Sequence, residues 1–183
     1  MKLSQSSLCK QFIMLCLVVF VATGFLSAGG VKETAAKVET GFEFTDSRGQ
    51  RLVLESAPER IVSLSPNLTE TLFALGLQDA LVGRTDYCDY PQGAASIPSM
   101  GDLFTPSIEK IVAVDPDVVI LSTLGHEQTI TALEQAGLHV AYLNESETME
   151  GTFRLIQSVG RLTGKRSQAE ALIAQMQATI ATV

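Results

Sequence analysis

From residue 60 onward, short apolar runs alternate with segments whose apolar residues recur every three or four positions. "RIVSL" (60–64), "ALVGR" (80–84), "PDVVILS" (116–122) and "LHVAYL" (138–143) are brief and rich in β-branched residues, as strands buried on both faces are. In "SPNLTETLFALG" (65–76), Leu68, Leu72, Phe73 and Leu75 mark one face of a helix. Pro66 or Asn67 starts it and Gly76 stops it. "SIEKIVAV" (107–114) predicts a helix capped by Thr105, with Pro106 in its first turn. "HEQTITALEQAG" (126–137) predicts a helix ended by Gly137. "TMEGTFRLIQSVGRLTG" (148–164) predicts another, with Gly160 as a weak point.

The flanks differ. "FEFTDSRGQRLVL" (42–54) alternates apolar and polar residues around "DSRG", a hairpin pattern. In "GKRSQAEALIAQMQATIATV" (164–183), Ser167 and Glu170 form a capping-box start. Ala169, Leu172, Ile173, Met176 and Ile180 follow as an apolar stripe that is still running at the last residue.

Alternating strands and helices define an α/β fold: a Rossmann-like three-layer lobe with a mostly parallel sheet, an N-terminal hairpin and a long C-terminal helix. Ligands of such sheets gather at the carboxyl ends of the strands. Three loops leave those ends: "SPN" (65–67), "TDYCDYP" (85–91) and "STLGH" (122–126).

The first thirty residues change the picture. Lys2 and Lys10, the apolar stretch 12–26 and the small residues "SAGG" (27–30) read as a secretory signal, cut between residues 24 and 36. The stretch is shorter than the ~20 residues of a membrane span. No cysteine follows it to carry a lipid, and Cys16 comes too early. The expected plan is a signal peptide at 1–28, a polar flexible segment at 29–41, a binding lobe at 42–164 and the start of a long helix at 165–183. The net charge of −7 becomes more negative once Lys2 and Lys10 are removed, which disfavours a nucleic-acid partner. Of the three cysteines, only Cys88 stays in the mature part, so no intrachain disulfide is expected.

Candidate chemistry concentrates in the strand-end loops. Backbone N–H groups at Ser65, Pro66 and Asn67 can hold an anionic or polar ligand group, or simply cap the helix. Cys88 lies between Tyr87 and Tyr90. A reactive thiol wants a nearby cation, and Asp86 and Asp89 oppose Arg84 there. One cysteine and two histidines are too few for a soft-metal site. Asp102, Leu103 and Phe104 suit a large, partly apolar ligand, or a staple onto the next helix. Ser122, Thr123, Leu124, Gly125 and His126 leave the central strand; His126 reads as a surface residue and His139 as a packed one. Glu70, expected in the first turn of the helix after Asn67, favours the helix dipole or caps Asn67. No glycine-rich phosphate loop follows a strand. Ser65 or Ser122 with His126 and Asp102 would make a hydrolase set, but the "GxSxG" elbow is missing.

Together, "APERIVSLSPNLTETLFALG", "LVGRTDYCDYP" and "IPSMGDLFTPSIEKIVAVDPDVVILS" give a chain that resembles the periplasmic substrate-binding proteins of iron-siderophore and cobalamin ABC importers, from about Phe42 to the end. The resemblance implies two lobes joined by one long helix, of which this sequence holds the first lobe and the start of the helix. It implies an extracytoplasmic binding protein rather than an enzyme. Its ligand is an iron-siderophore, haem or corrinoid, its partner is an ABC permease, and it needs no cofactor of its own. In that family the loop carrying Tyr87 and Cys88 and the loop carrying Asp102, Leu103 and Phe104 face the ligand, with Tyr87 packed on it; Ser65, Pro66, Asn67, Ser122 and Leu124 join them as ligand-binding candidates from their place at strand ends. An acid at the place of Glu70 docks to permease arginines. Two isolated histidines fit poorly with the zinc and manganese branch. The rival readings are a stand-alone interaction lobe that pairs through the stripe of 167–183, and the hydrolase.

Overall fold

Four parallel strands, in the spatial order Leu81–Arg84, Ile61–Ser63, Val118–Leu121 and Val140–Tyr142, form the centre of the structure, a computed structural model that describes residues 41–122 and 127–182. In chain order, β1 (Phe42–Thr45) and β2 (Arg51–Leu54) lead to β3 (Ile61–Ser63), α1 (Pro66–Ala74), β4 (Leu81–Arg84) and α2 (Ile108–Ala113). Then come β5 (Val118–Leu121), α3 (Glu127–Gln135), β6 (Val140–Tyr142), α4 (Met149–Leu162) and α5 (Arg166–Ile180). The expected signal peptide, Leu124 and His126 lie outside the described residues. Among the described residues no helix is long and apolar enough to cross a membrane.

The sheet is buried on both faces, as its unbroken apolar strands require. On one face Ile61, Val118 and Ile120 pack with Leu68 and Leu72 of α1, Leu155 and Val159 of α4, and Ile173 of α5. On the other, Val62, Val119 and Leu121 meet Ile111 of α2 and Leu133 of α3. All of β5 is buried; each such aliphatic side chain contributes about 1.5–3 kcal/mol relative to exposure. This is the three-layer α/β lobe that the pattern predicts.

The hairpin does more than cover the core. Its turn docks against β6: Ser47 N donates to Tyr142 O at 2.9 Å, Tyr142 N to Asp46 Oδ2 at 3.2 Å, and Asn144 N to Ser47 Oγ at 2.9 Å. Arg48 bridges Asp46 and Glu134 of α3, at 2.8 and 2.9 Å. Burial acts to lower the Arg48 pKa, but the hydrogen bonds to Asp46 and Glu134 outweigh it and raise the pKa above its ordinary value. The open edge of β6 is thereby closed, which guards against pairing with another chain.

Four local expectations are corrected. Ser107, not Thr105, caps α2, accepting from Lys110 N, and Pro106 is buried just before that helix. Glu70 falls outside the first turn of α1, because the helix begins at Pro66. Ser167 and Glu170 form no capping box, because α5 starts at Arg166 with Lys165 at its cap. Gly160 is not a weak point: α4 runs through it. A Cβ there would lie 2.6 Å from Ala169 Cβ, so the glycine is where α4 and α5 meet. The stripe on α5 is largely covered. Ala169 and Ile173 are buried and Leu172 and Met176 pack on the core, leaving Ile180 exposed.

Candidate functional site

β3 and β5 are neighbours whose chains leave in different directions, to α1 and toward α3. This is the switch point where such sheets open a crevice. Here the two strand ends are tied together. Ser65 sits in extended backbone just before α1, and its Oγ accepts the Ser122 N–H at 3.1 Å. Ser122 Oγ donates to Asn67 Oδ1 at 3.1 Å, and Leu64 N donates to Ile120 O. Beneath them, Thr69 Oγ1 donates to Ser63 Oγ at 2.9 Å and Ser63 Oγ donates to Ser65 O. Ser63, Ser65 and Thr69 are fully or almost fully buried.

A groove of about 420 Å³ opens beside this knot, lined by Pro66, Asn67, Ser122, Glu145, Ser146, Glu147 and Thr152 among others. Its far wall is the loop after β6 and the first turns of α4. Thr148 caps α4 by accepting from Gly151 N at 3.0 Å. Glu145 and Ser146 accept from Arg154 at 2.9 and 2.7 Å. A Cβ on Gly151 would lie 1.8 Å from Ser146 O, so only glycine allows the loop to rest on the helix. The sequence reading missed this wall. "YLNESET" leaves a strand end just as the other three loops do, and that was the available signal.

The predicted residues divide into two groups. Ser65, Pro66, Asn67 and Ser122 meet at the switch point, although Ser65 supports the groove from below and does not line it. Tyr87, Cys88, Asp102, Leu103 and Phe104 belong to a second patch and are not in the groove's lining. Their two loops are joined: Asp86 N donates to Gly101 O at 2.9 Å, Ser99 Oγ to Asp86 Oδ1, and Met100 N to Arg84 O at 2.7 Å. Met100 lies over Gly83, where a Cβ would be 2.8 Å from its Cε. Arg84 holds the loop from within by donating to the carbonyls of Ala94 and Thr85.

Within this patch Tyr87, Tyr90 and Phe104 are exposed, and Cys88 is 1% exposed with Sγ 3.3 Å from Thr85 Oγ1. Cys88 is therefore packed inside its own loop and is not presented to solvent. Asp102 Oδ1 accepts from Phe104 N and Thr105 N, fixing its own loop. Glu70 is exposed. The buried, engaged hydroxyl of Ser65 and the loop-bonded carboxylate of Asp102 are poorly placed for hydrolase chemistry. Among the described residues no group of three His, Cys, Asp or Glu could hold a metal ion.

Known proteins resemble this chain in sequence and fold. A cobalamin-binding protein of Halobacterium salinarum is 31% identical over 75% of this chain and 38% of its own length. An uncharacterized ABC transporter substrate-binding lipoprotein of Bacillus subtilis is 29% identical over 91% of this chain and 54% of its own. The periplasmic heme-binding protein of Roseiflexus sp. RS-1, in apo form, superposes with a TM-score of 0.63 at 31% identity, over 68% of this chain and 48% of its own. The chain thus spans about half the length, or less, of the relatives it matches. Residues 61–183 match the periplasmic binding protein family, and with that match over more than half of its residues the chain belongs to that family.

Proposed function

We propose that the chain is a ligand-binding lobe of an extracytoplasmic solute-binding protein serving an ABC importer, with an iron-siderophore, haem or corrinoid as its ligand. One observation carries the reading: the ends of β3 and β5, locked by Ser65, Asn67 and Ser122, form a rigid floor beside an open groove. Binding sites are commonly largely preformed in this way. The exposed aromatics Tyr87, Tyr90 and Phe104 supply flat apolar surface on the loop of the neighbouring strand β4, suited to a large ring system. The likeness to the cobalamin-binding protein of Halobacterium and the heme-binding protein of Roseiflexus supports a metal-bearing ligand. Glu70, exposed on α1, is the residue proposed to meet the permease.

The test is calorimetric titration of the intact chain with cyanocobalamin, hemin and ferric chelates. At least one should bind, and Asn67→Ala and Tyr87→Ala should each weaken it. Glu70→Ala should keep ligand affinity and lose uptake through the cognate permease. Failure of every ligand to bind would overturn the reading.

A further inference from the structure

We infer that Asn67 and Ser122 make one ligand contact of fixed sign: Asn67 presents its side-chain NH2 group to the groove, Ser122 positions it, and the ligand group seated there is an acceptor oxygen, an amide carbonyl or a carboxylate. The inference rests on the ligand-cleft reading above and adds the chemistry of the group that enters.

The orientation of the amide follows from its neighbours. Leu68 N lies 2.9 Å from Asn67 Oδ1. A backbone N–H only donates, so the atom beside it is the oxygen of the amide and not the nitrogen. The Ser122 hydroxyl, 3.1 Å from the same oxygen, is then a donor as well, and the lone pairs of Oδ1 are filled. Ser122 is itself fixed: it is 4% exposed, and its N–H is on Ser65 Oγ. With Oδ1 held against Leu68 and Ser122, Nδ2 is the atom left for the groove that Asn67 lines. Among the described residues Nδ2 has no partner.

The rest of the described lining offers no rival side-chain donor. Thr152 Oγ1 donates to Thr148 O at 3.2 Å. Ser146 Oγ is held between Arg154 and Thr148 Oγ1, at 2.7 and 3.1 Å. Glu145 and Glu147 bring carboxylate acceptors, and Leu143 and Leu155 are apolar. A ligand that closes over the Asn67 NH2 group takes it out of water, and a donor left without an acceptor weakens binding. The ligand therefore brings an oxygen lone pair to this point.

The experiment uses the intact chain with three probes: cyanocobalamin and ferrioxamine B, which carry amide carbonyls, and hemin, which carries propionates. Asn67→Ala removes the donor. Asn67→Asp keeps the shape and the oxygen that serves Leu68 and Ser122, and puts a second oxygen where the nitrogen was. A probe that binds the wild type should lose roughly tenfold with alanine, the worth of one hydrogen bond. It should lose more with aspartate, because two acceptors then face each other. Added salt should shrink the aspartate loss for a propionate and hardly change it for an amide oxygen, which separates the two sources. Aspartate binding as well as alanine or better, as a donating ligand group would make it, overturns the contact and leaves the cleft standing. Ser122→Ala should weaken binding in the wild-type background and change nothing in Asn67→Ala, since Ser122 acts through the amide. An equal loss in both backgrounds overturns the positioning role. Urea unfolding of each variant checks that it folds. Binding of none of the three probes overturns the cleft and the contact together.

Discussion

The backbone N–H of Ser122 donates to Ser65 Oγ at 3.1 Å, across 57 positions of sequence. Both residues are almost fully buried, so the bond has no water to replace it. Ser65→Ala leaves a buried donor without an acceptor and should cost about 1–3 kcal/mol, read as a lower urea midpoint with an unchanged slope. Ser96→Ala removes an exposed hydroxyl that donates to Gly93 O and should cost much less. Equal losses in the two variants would mean that the Ser65 bond does not hold the strand ends.

Gly160 and Ala169 mark the closest approach of α4 and α5. Alanine at a helix interior usually gains up to about 1 kcal/mol over glycine. Here a Cβ would sit 2.6 Å from Ala169 Cβ and 3.1 Å from Lys165 O, so Gly160→Ala should destabilise. Adding Ala169→Gly should recover only part of the loss, because the Lys165 carbonyl stays. A double-mutant cycle in urea measures the coupling. A stabilised Gly160→Ala would show that the helices separate at no cost.

Much of this could be read from the chain, and the failures share a cause. The strands of the sheet were legible because Val118, Val119, Ile120 and Leu121 form an unbroken run. The ends of α1 and α3 were legible because Gly76 and Gly137 adopt positive φ, 72° and 82°, where other residues are strained. Ser65, Asn67 and Ser122 were singled out by position at strand ends. Their bonds to one another were not visible, because no local pattern joins residues 57 apart. The turn "DSRG" read as a plain hairpin turn for the same reason: its partners, Tyr142 and Glu134, are distant in sequence. Ser167 with Glu170 matched a capping box by spacing alone, whereas the cap of α5 lies two residues earlier, at Lys165, and ignores it. The wall formed by Glu145, Ser146 and Glu147 was passed over because it is polar and lacks aromatics.

α2 offers a pH test. The backbone N–H of Glu109, and then the Ser107 hydroxyl, hold the Glu109 carboxyl below its ordinary value. A depressed acid stabilises the fold above its unfolded pKa, and that contribution disappears as pH falls through the folded one. Any effect of Glu109 therefore lies on the acid limb of the stability profile and is absent at neutral pH changes. Ser107→Ala also removes the cap on Lys110 N, at about 1 kcal/mol. An NMR titration should show the Glu109 midpoint rising only part of the way in Ser107→Ala, since the backbone bond is the larger cause. A full return to the ordinary value would make Ser107 the main cause.

Tyr87 and Cys88 are adjacent and face opposite ways, 53% and 1% exposed. Their roles should separate cleanly. Alkylation of the native chain, mapped by peptide so that Cys9 and Cys16 do not confuse the count, should leave Cys88 unmodified until urea unfolds the lobe, because a thiol that is 1% exposed is out of the reagent's reach. Cys88→Ser keeps a small partner for Thr85 and should leave ligand affinity unchanged at some cost in stability. Tyr87→Ala should do the reverse, weakening the ligand with little change in unfolding. Rapid native labelling of Cys88 would show that the loop opens freely, and an opening loop could not hold the Tyr87 ring in place for a ligand.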